Sequence, residues 1–483
     1  MSMLWLALHF PSLPLEALTR GAEAPGPTVI VSSLPQNTAG ARLVLACNAD
    51  ATRAGIRPGM PISAAHALAR GLAVHARDSQ RERETLARLA AWALQFTPTL
   101  SLDERATVLA EIGGSLRLFG GLSPLLGQVR SGLAELGFDT FIAVAPTATG
   151  AALLARAGLE LTMTDTAPLR DHLAALSIDL LEQDSTVLDA LAKLGVRTLG
   201  ECRRLPRDGL ARRFGESLLD ELDRVFGDRP DPRPPWVAPD VHTVRLDLPS
   251  PVCEVAAVLF PAKRLLTELC GVLAARRQGI VQLSLALGHE DHAPTLVLLS
   301  LSMPSRDPAH LLSLLRERLS TVELPDRVES VSLTATETLQ LAPRNFSFFG
   351  DRNAAAENRL ALVERLRARL GEAAVCGLAL VPDHRPELAW QPVEPGHAEV
   401  VSTTNPRPLW LLAAPKPLRT NADGTHPPSL SILSGPERIE SGWWDGNDVS
   451  RDYFVASNTA GARFWIFRER TRDRRWFLHG VFA

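Results

Sequence analysis

Between Asp228 and Pro235 the chain reads DRPDPRPP, four prolines in eight residues. Proline fixes φ and has no N–H to donate, so neither a helix interior nor a central strand can pass through this stretch. The polypeptide is therefore predicted to divide here into separately folded parts. Its 483 residues agree, being roughly three times the ~150 residues of a common domain. Apolar residues make up 46% and charged residues 22%, which excludes a wholly disordered chain.

Other function classes fall away on similar grounds. No run of eighteen uncharged apolar residues occurs, so no membrane span is expected. The opening MSMLWLALHFPSLPLEAL lacks a basic start and holds two prolines, unlike a secretory signal. Five scattered cysteines (Cys47, Cys202, Cys253, Cys270, Cys376) form no C-x-x-C pair, which fits a reducing cytoplasm and neither a disulfide framework nor a zinc site. With a net charge of −3, any nucleic-acid contact must come from local patches. Lysine stands only at 193, 263 and 416, and this arginine excess reads as codon composition rather than selection for phosphate contacts.

Along the chain, Leu4, Leu6, Leu8 and Phe10 alternate as in a strand that Pro11 ends. Short strands are predicted at 28–34 and 42–46, followed by a helix, a GIRPG turn and a second helix capped by Ser63. A helix at 80–95, strands at 107–112 and 115–119, a helix at 122–136, a strand at 139–145 and a helix at 150–157 complete a mixed sheet with helices on one face. Residues 167–227 read as short helices broken at Gly195 and at Leu205-Pro206. A second α/β unit is expected at 241–341, with helices at 258–277 and 308–319 and strands at 280–287, 295–301 and 328–335. An amphipathic helix at 354–370 should end at Gly371. The last ~110 residues hold six of the nine tryptophans and read as a small β-rich domain.

Four strings carry a resemblance to a known family: LALHFPSLPLE, NADATRAGIRPGMPISAA, LAEIGGSLRLFGG and LGVRTLGECRRLP. Residues 1–340 resemble the Y-family, translesion DNA polymerases. The tail string GPERIESGWWDG…RDYF…WFLHGVFA is similar to that of the polymerase-like member of the bacterial mutasome. The resemblance implies an α+β, multidomain fold. It would have palm-like parts at 1–22 and 76–165, fingers-like residues 23–75, a helix-hairpin-helix-type thumb at 166–234 and an α/β little finger at 241–341. A linker and helix (342–372) and a β-rich interaction domain (373–483) would follow.

The departures from the family pattern concern chemistry. Two-metal phosphoryl transfer needs carboxylates to hold a pair of cations. Anchored on Glu16, the family's first-strand D-x-D leaves Ala7 and His9 where the aspartates would stand. A methyl group binds no cation, and a lone imidazole is a poor magnesium ligand. The family's S-x-D-E is spelled by Ser101-Leu102-Asp103-Glu104, but out of register by three residues with the LAEIGG strand. Aligned by that strand, Ala106 and Thr107 take the carboxylate places, and Asp103 and Glu104 read as solvated loop residues. The fingers motif Y-E-A-R becomes Ala49-Asp50-Ala51-Thr52, and the palm lysine becomes Thr149, so the groups that would hold a triphosphate are gone as well. The expectation is a pseudo-polymerase with no cofactor and no metal. The rival is an active, low-efficiency bypass polymerase using Asp103, Glu104 and Glu111.

Binding functions remain. Residues 197–213 carry six arginines (Arg197, Arg203, Arg204, Arg207, Arg212, Arg213) against Glu201 and Asp208, a local balance of +4. Such a patch on short helices reads as a sequence-independent contact to primer-template DNA, and Arg264, Arg276 and Arg277 of the little finger are further candidates. Asn345-Phe346-Ser347-Phe348-Phe349 is similar to the short extended peptides that bind the bacterial sliding clamp. Gln282-Leu283-Ser284-Leu285-Ala286-Leu287 also matches that consensus but alternates like a core strand. By resemblance the tail engages an error-prone C-family DNA polymerase and ImuA. Trp443, Trp444, Arg451, Tyr453, Trp465 and Trp476 are the candidate anchors, with Leu360, Val363, Leu366 and Leu370 on the preceding helix.

Overall fold

The computed structural model describes residues 3–20, 26–32, 42–103, 105–239, 242–341, 354–396, 407–421, 427–470 and 473–482. It divides into two compact units, 1–369 and 370–483.

The first unit starts from β1 (Trp5–His9), in which Trp5 and Ala7 on one face and Leu6 and Leu8 on the other are apolar and buried. Strand β1 is followed by α1 (Leu13–Thr19), then by β2 (Thr28–Val31) and β3 (Val44–Cys47). Helices α2 (Ala49–Arg53) and α3 (Ile62–Leu68) lead to β4 (Ala73–Ala76). Strands β3-β2-β4 make a small sheet over a core of Val29, Val44, Ile56 and Ala65. The cap of α3 is Pro61 and not Ser63, because proline's fixed φ suits the entry to a helix.

Helix α4 (Ser79–Ala93) starts at Asp78, whose carboxylate accepts from Gln80 N and Arg81 N at 3.1 and 3.0 Å. Next come β5 (Leu100–Asp103), β6 (Thr107–Glu111), α5 (Leu122–Leu136), β7 (Phe141–Ala145) and α6 (Ala148–Arg156). The palm-like sheet has the order β5-β6-β1-β7. It is covered on both faces, which corrects the one-faced expectation. Leu4, Leu6, Leu8 and Phe10 pack with α4 and α5, while Trp5 and Ala7 pack with α6 and the helices beyond it. A strand buried on both sides needs both residue sets apolar. The expected strand at 115–119 is instead a series of turns: after Gly113-Gly114, Ser115 N bonds Ile112 O and Leu118 N bonds Ser115 O.

The helical segment is α7 (Thr166–Ala174), a 3₁₀ turn at Ile178–Leu180, α8 (Ser185–Lys193), α9 (Leu199–Arg203), α10 (Arg207–Phe214) and α11 (Glu216–Phe226). Residues 228–239 then run without helix or strand, but they are no free linker. Asp231 is buried, its carboxylate accepting from Thr149 N and Oγ1 at 2.6 and 2.8 Å, and Trp236 N bonds Leu100 O.

The second α/β part comprises β8 (Thr243–Val252), α12 (Val255–Ala275), β9 (Gln278–Gly288), β10 (Thr295–Ser305), α13 (Pro308–Leu319) and β11 (Val328–Gln340). Its sheet order is β10-β9-β11-β8, all antiparallel. Helix α12 is wedged between this sheet and the palm-like helices: Trp92 of α4 fills a slot between Gly132 of α5 and Gly271 of α12, where a Cβ at either glycine would lie 2.3 Å from the indole. Beside it, Arg20 and Glu268 form a buried ion pair at 2.7 Å. Burial raises the nearby Glu16 carboxyl to about 8, against the partial relief of Arg20 and Arg264. Helix α14 (Ala354–Leu370) follows; Glu364 accepts from Ser302 N and bonds His310 Nε2, and Ala368 joins the sheet's core.

The second unit opens with the hairpin β12 (Gly377–Leu380) and β13 (Trp390–Val393). A five-stranded antiparallel sheet follows: β14 (Trp410–Pro417), β15 (Ser431–Ser441), β16 (Val449–Ser457), β17 (Arg463–Glu469) and β18 (Trp476–Val481), in the order β14-β18-β17-β16-β15. Among the described residues, no helix is long and apolar enough to cross a membrane.

Candidate functional site

At the end of the palm-like sheet, strand pairing sets three side chains in a row. Asp103 of β5 faces Thr107 of β6, and Thr107 faces His9 of β1. His9 Nδ1 lies 3.0 Å from Thr107 Oγ1. Ala7, two residues back, is fully buried between Leu109 and Ala143. Asp103 corrects the expectation of a solvated loop residue: it ends a strand and is buried, because Arg156 from α6 reaches its carboxylate. Arg156 also lies 3.2 Å from Glu182. Burial, followed by the Arg156 charge, lowers the His9 pKa and keeps the ring neutral. Glu104 lies outside the described residues.

This arrangement does not fit the metal pair of an active polymerase. The first-strand ligand positions are a methyl group and a neutral imidazole, and the one described carboxylate in the row is already neutralised. Among the described residues no three His, Cys, Asp or Glu side chains converge. Glu111 cannot join, since it stands four residues along β6 from Thr107, about 13 Å away at strand spacing. Its carboxylate instead accepts from Leu4 N and Gly113 N.

The residues at the expected triphosphate positions are engaged within the chain or carry no group for a phosphate: Ala51 is buried, while Ala49 and Thr52 are exposed. Asp50 pairs with its own-helix neighbour Arg53, and Asn48 caps that helix by accepting from Ala51 N. Thr149, at the lysine position, is buried and bound to Asp231, with Arg233 donating to its hydroxyl.

In the thumb-like helices, Thr198 and Glu201 form a reciprocal capping box that opens α9, and Gly195 takes φ +80° at the preceding turn. The six arginines fall into two groups. Arg203 pairs with Asp228 at 2.7 Å and lies over the Phe226 ring, and Arg207 makes a bidentate pair with Asp223 at 2.8 Å. These two hold helices together. Arg197, Arg204, Arg212 and Arg213 have no carboxylate within ion-pair distance among the described residues, although Arg213 lies over Phe214. Asp223 of α11 and Asp228 just beyond it carried the missed signal: they were available to neutralise part of the patch. Of the little-finger candidates, Arg264 is turned inward over Phe260 and pushed down to about 10 by burial, and Arg276 donates to Pro239 O.

The tail anchors separate in the same way. Tyr453, Trp465 and Trp476 are core residues; Tyr453 stacks on Trp465 at 4.1 Å and bonds His479 at 2.8 Å. Arg451 is engaged by Glu387 and the Tyr453 hydroxyl. Trp443 and Trp444, by contrast, are 81% and 59% exposed on a turn. That turn is built: Arg385, itself buried, pairs with Asp383 and Asp445 at 2.8 and 2.7 Å and lies over the Trp444 ring. Gly442 takes φ +92° there, where a Cβ would lie 2.4 Å from Asn447 O. On α14, Leu360 and Val363 are half-buried, whereas Leu366 and Leu370 are exposed. Asn345, Phe346, Ser347, Phe348 and Phe349 lie outside the described residues. The competing string 282–287 is core, with Leu283, Leu285 and Leu287 buried on the internal strand β9.

Comparison with known proteins agrees with the sequence motifs. The impB/mucB/samB family matches residues 22–156. The chain is 28% identical over 463 residues to Protein ImuB of Caulobacter vibrioides (strain NA1000 / CB15N), covering 89% of this chain and all of the relative. The same values hold for strain ATCC 19089 / CIP 103742 / CB 15. Among solved structures, the insertion ternary complex of Dbh DNA polymerase matches at 18% identity with a TM-score of 0.39, covering 71% of this chain and 100% of that one. DinB from Sulfolobus solfataricus matches at 18% and 0.37, covering 70% and 98%. The chain has an α+β fold of several sheets with a separate β-rich unit, and its residues 22–156 match the impB/mucB/samB family. Along almost its whole length it resembles ImuB.

Proposed function

We propose that this chain is a non-catalytic adaptor for translesion DNA synthesis, acting in the cytoplasm during the response to DNA damage. The observation that carries the reading is the Asp103 carboxylate neutralised by Arg156 in a row whose other members are a hydroxyl and a neutral imidazole. In this reading the scaffold serves binding. The thumb-like arginines and the open face of the β10-β9-β11-β8 sheet, with Gln282, Ser284, Ser332 and Thr334, lie along primer-template DNA. Residues 345–349 hold the sliding clamp. The tail, through Trp443 and Trp444, recruits an error-prone C-family polymerase and ImuA. Several weak contacts on one chain raise the local concentration of the working polymerase at a stalled end. The reading requires that the purified chain bind primer-template DNA without extending it.

The rival reading, a low-efficiency polymerase, draws on the place of Asp103 in one row with His9, across Thr107 of β6. It would need Arg156 to leave that carboxylate.

Two outcomes are expected. Replacing Arg197, Arg204, Arg212 and Arg213 by alanine should weaken DNA binding for all sequences. It should also reduce the slope of log K against log salt by roughly one for each phosphate no longer neutralised. Arg203→Ala and Arg207→Ala should act more on stability, since those side chains are committed to Asp228 and Asp223. A loss confined to one DNA sequence, measured by fluorescence anisotropy, would contradict backbone contact. Secondly, Phe348→Ala with Phe349→Ala should abolish clamp binding by surface plasmon resonance and leave circular dichroism unchanged. Undiminished clamp affinity would end the assignment of 345–349.

A further inference from the structure

The contacts around Asp103 describe more than a lost metal site. The side chains of Asp103 and Arg156 are 4% and 5% exposed, so both charges are removed from water and each depends on the other. Asp103 also accepts from Arg105 N at 3.0 Å. Glu182, just beyond the 3₁₀ turn, is the second carboxylate on the same guanidinium. Its pKa is raised by burial and by Asp103. Two carboxylates this close need a cation between them. His9 stands across Thr107 from Asp103, its Nδ1 3.0 Å from the Thr107 hydroxyl, and is not placed between the two carboxylates. The same place is a junction: Arg156 belongs to the palm-like part and Glu182 to the thumb-like part. Arg105, next to Asp103, donates to Leu180 O and Leu181 O at 2.9 and 2.8 Å.

We infer that Arg156 is a resident cation: its guanidinium occupies the place a divalent ion would take beside Asp103 and Glu182, and fastens the palm-like sheet to the thumb-like helices. The inference rests on the non-catalytic reading and deepens it. Such a chain keeps its thumb in one posture without metal or nucleotide, so its affinity for primer-template DNA should be equal in EDTA and in magnesium once ionic strength is matched.

The test uses the full chain with Arg156→Met, Arg156→Lys and the double variant Arg156→Met/Asp103→Asn. Arg156→Met should lower the thermal midpoint by on the order of 5–10 °C. It should also gain one Mn²⁺ per chain in an electron paramagnetic resonance titration, with part of the midpoint recovered. The wild type and Arg156→Lys should take up none at this site, and the double variant should lose the gain. Should the methionine variant unfold, Mn²⁺-dependent refolding followed by circular dichroism gives the same reading, and Arg156→Gln repeats it. A variant at full stability without metal, or one that neither binds Mn²⁺ nor recovers with it, overturns the inference and leaves the adaptor reading standing. Mn²⁺ uptake by the wild type that Asp103→Asn abolishes overturns both.

Discussion

Trp465→Ala should unfold the 370–483 unit at a cost of about 3–5 kcal/mol, while Trp443→Ala with Trp444→Ala should leave its unfolding transition where it is. The two kinds of tryptophan share a sequence neighbourhood but not an environment. Trp465 is buried on β17, stacked against Tyr453 and packed in one cluster with Ile439 and Phe467. Truncating it removes a large apolar surface from a small core and opens a cavity. It also loosens the Tyr453–His479 hydrogen bond, whose partners are both buried. Trp443 and Trp444 meet edge to face, their ring centroids 5.6 Å apart and mostly in water, so their removal disturbs little packing. Their loss should instead appear as a large drop in affinity for the recruited polymerase or ImuA, since exposed Trp on a rigid support is a typical interface anchor. Urea unfolding and pull-down on the same variants separate the two roles. Retained partner binding in the Trp443/Trp444 double variant would remove this turn from the interface.

Glu268→Ala should destabilise the first unit by about 3–5 kcal/mol, because it strands a buried guanidinium. Arg20 and Glu268 are 2% and 3% exposed at the side chain, and Arg88 lies 3.6 Å from the same carboxylate. Arg20 also sits over the Phe138 ring, so it cannot swing to water without leaving packed neighbours. The control is Arg245→Ala, which breaks a pair with Asp247 that stays largely in solvent. That change should cost about 0–1 kcal/mol. The Arg20–Glu268 pair lies on the face by which α12 packs against α4 and α5. A loss below about 1 kcal/mol in Glu268→Ala would therefore mean that this face is not tightly closed.

The fold was legible where periodicity is strong. The helices at 122–136 and 308–319 carry clear apolar stripes, and both have the bounds their patterns predict. Strand β8 was not among the expected strands, and it contains Pro249 and Pro251. It is an edge strand, where proline is tolerated on the unpaired side. The 115–119 segment alternates convincingly, yet no neighbouring strand is placed to pair with it, and β5 takes the partner position on β6 instead. The site was half legible. That Ala7 and His9 carry no carboxylate can be read directly, because a residue either holds oxygen or does not. The burial of Asp103 cannot, since its partner lies 53 residues away on another helix. For the same reason Arg203 and Arg207 looked like free cations: their acids, on α11 and just after it, come beside them only in the fold. The tail tryptophans were ambiguous by composition alone, because the residue that fills a core is also the one that anchors an interface.

The most direct measurement is primer extension by the purified chain, first with magnesium and then with manganese, with DNA binding followed on the same sample. The account predicts binding of primer-template DNA and no added nucleotide with either metal. Extension that Asp103→Ala abolishes would contradict it, and would mean that Arg156 yields the carboxylate to a metal during turnover.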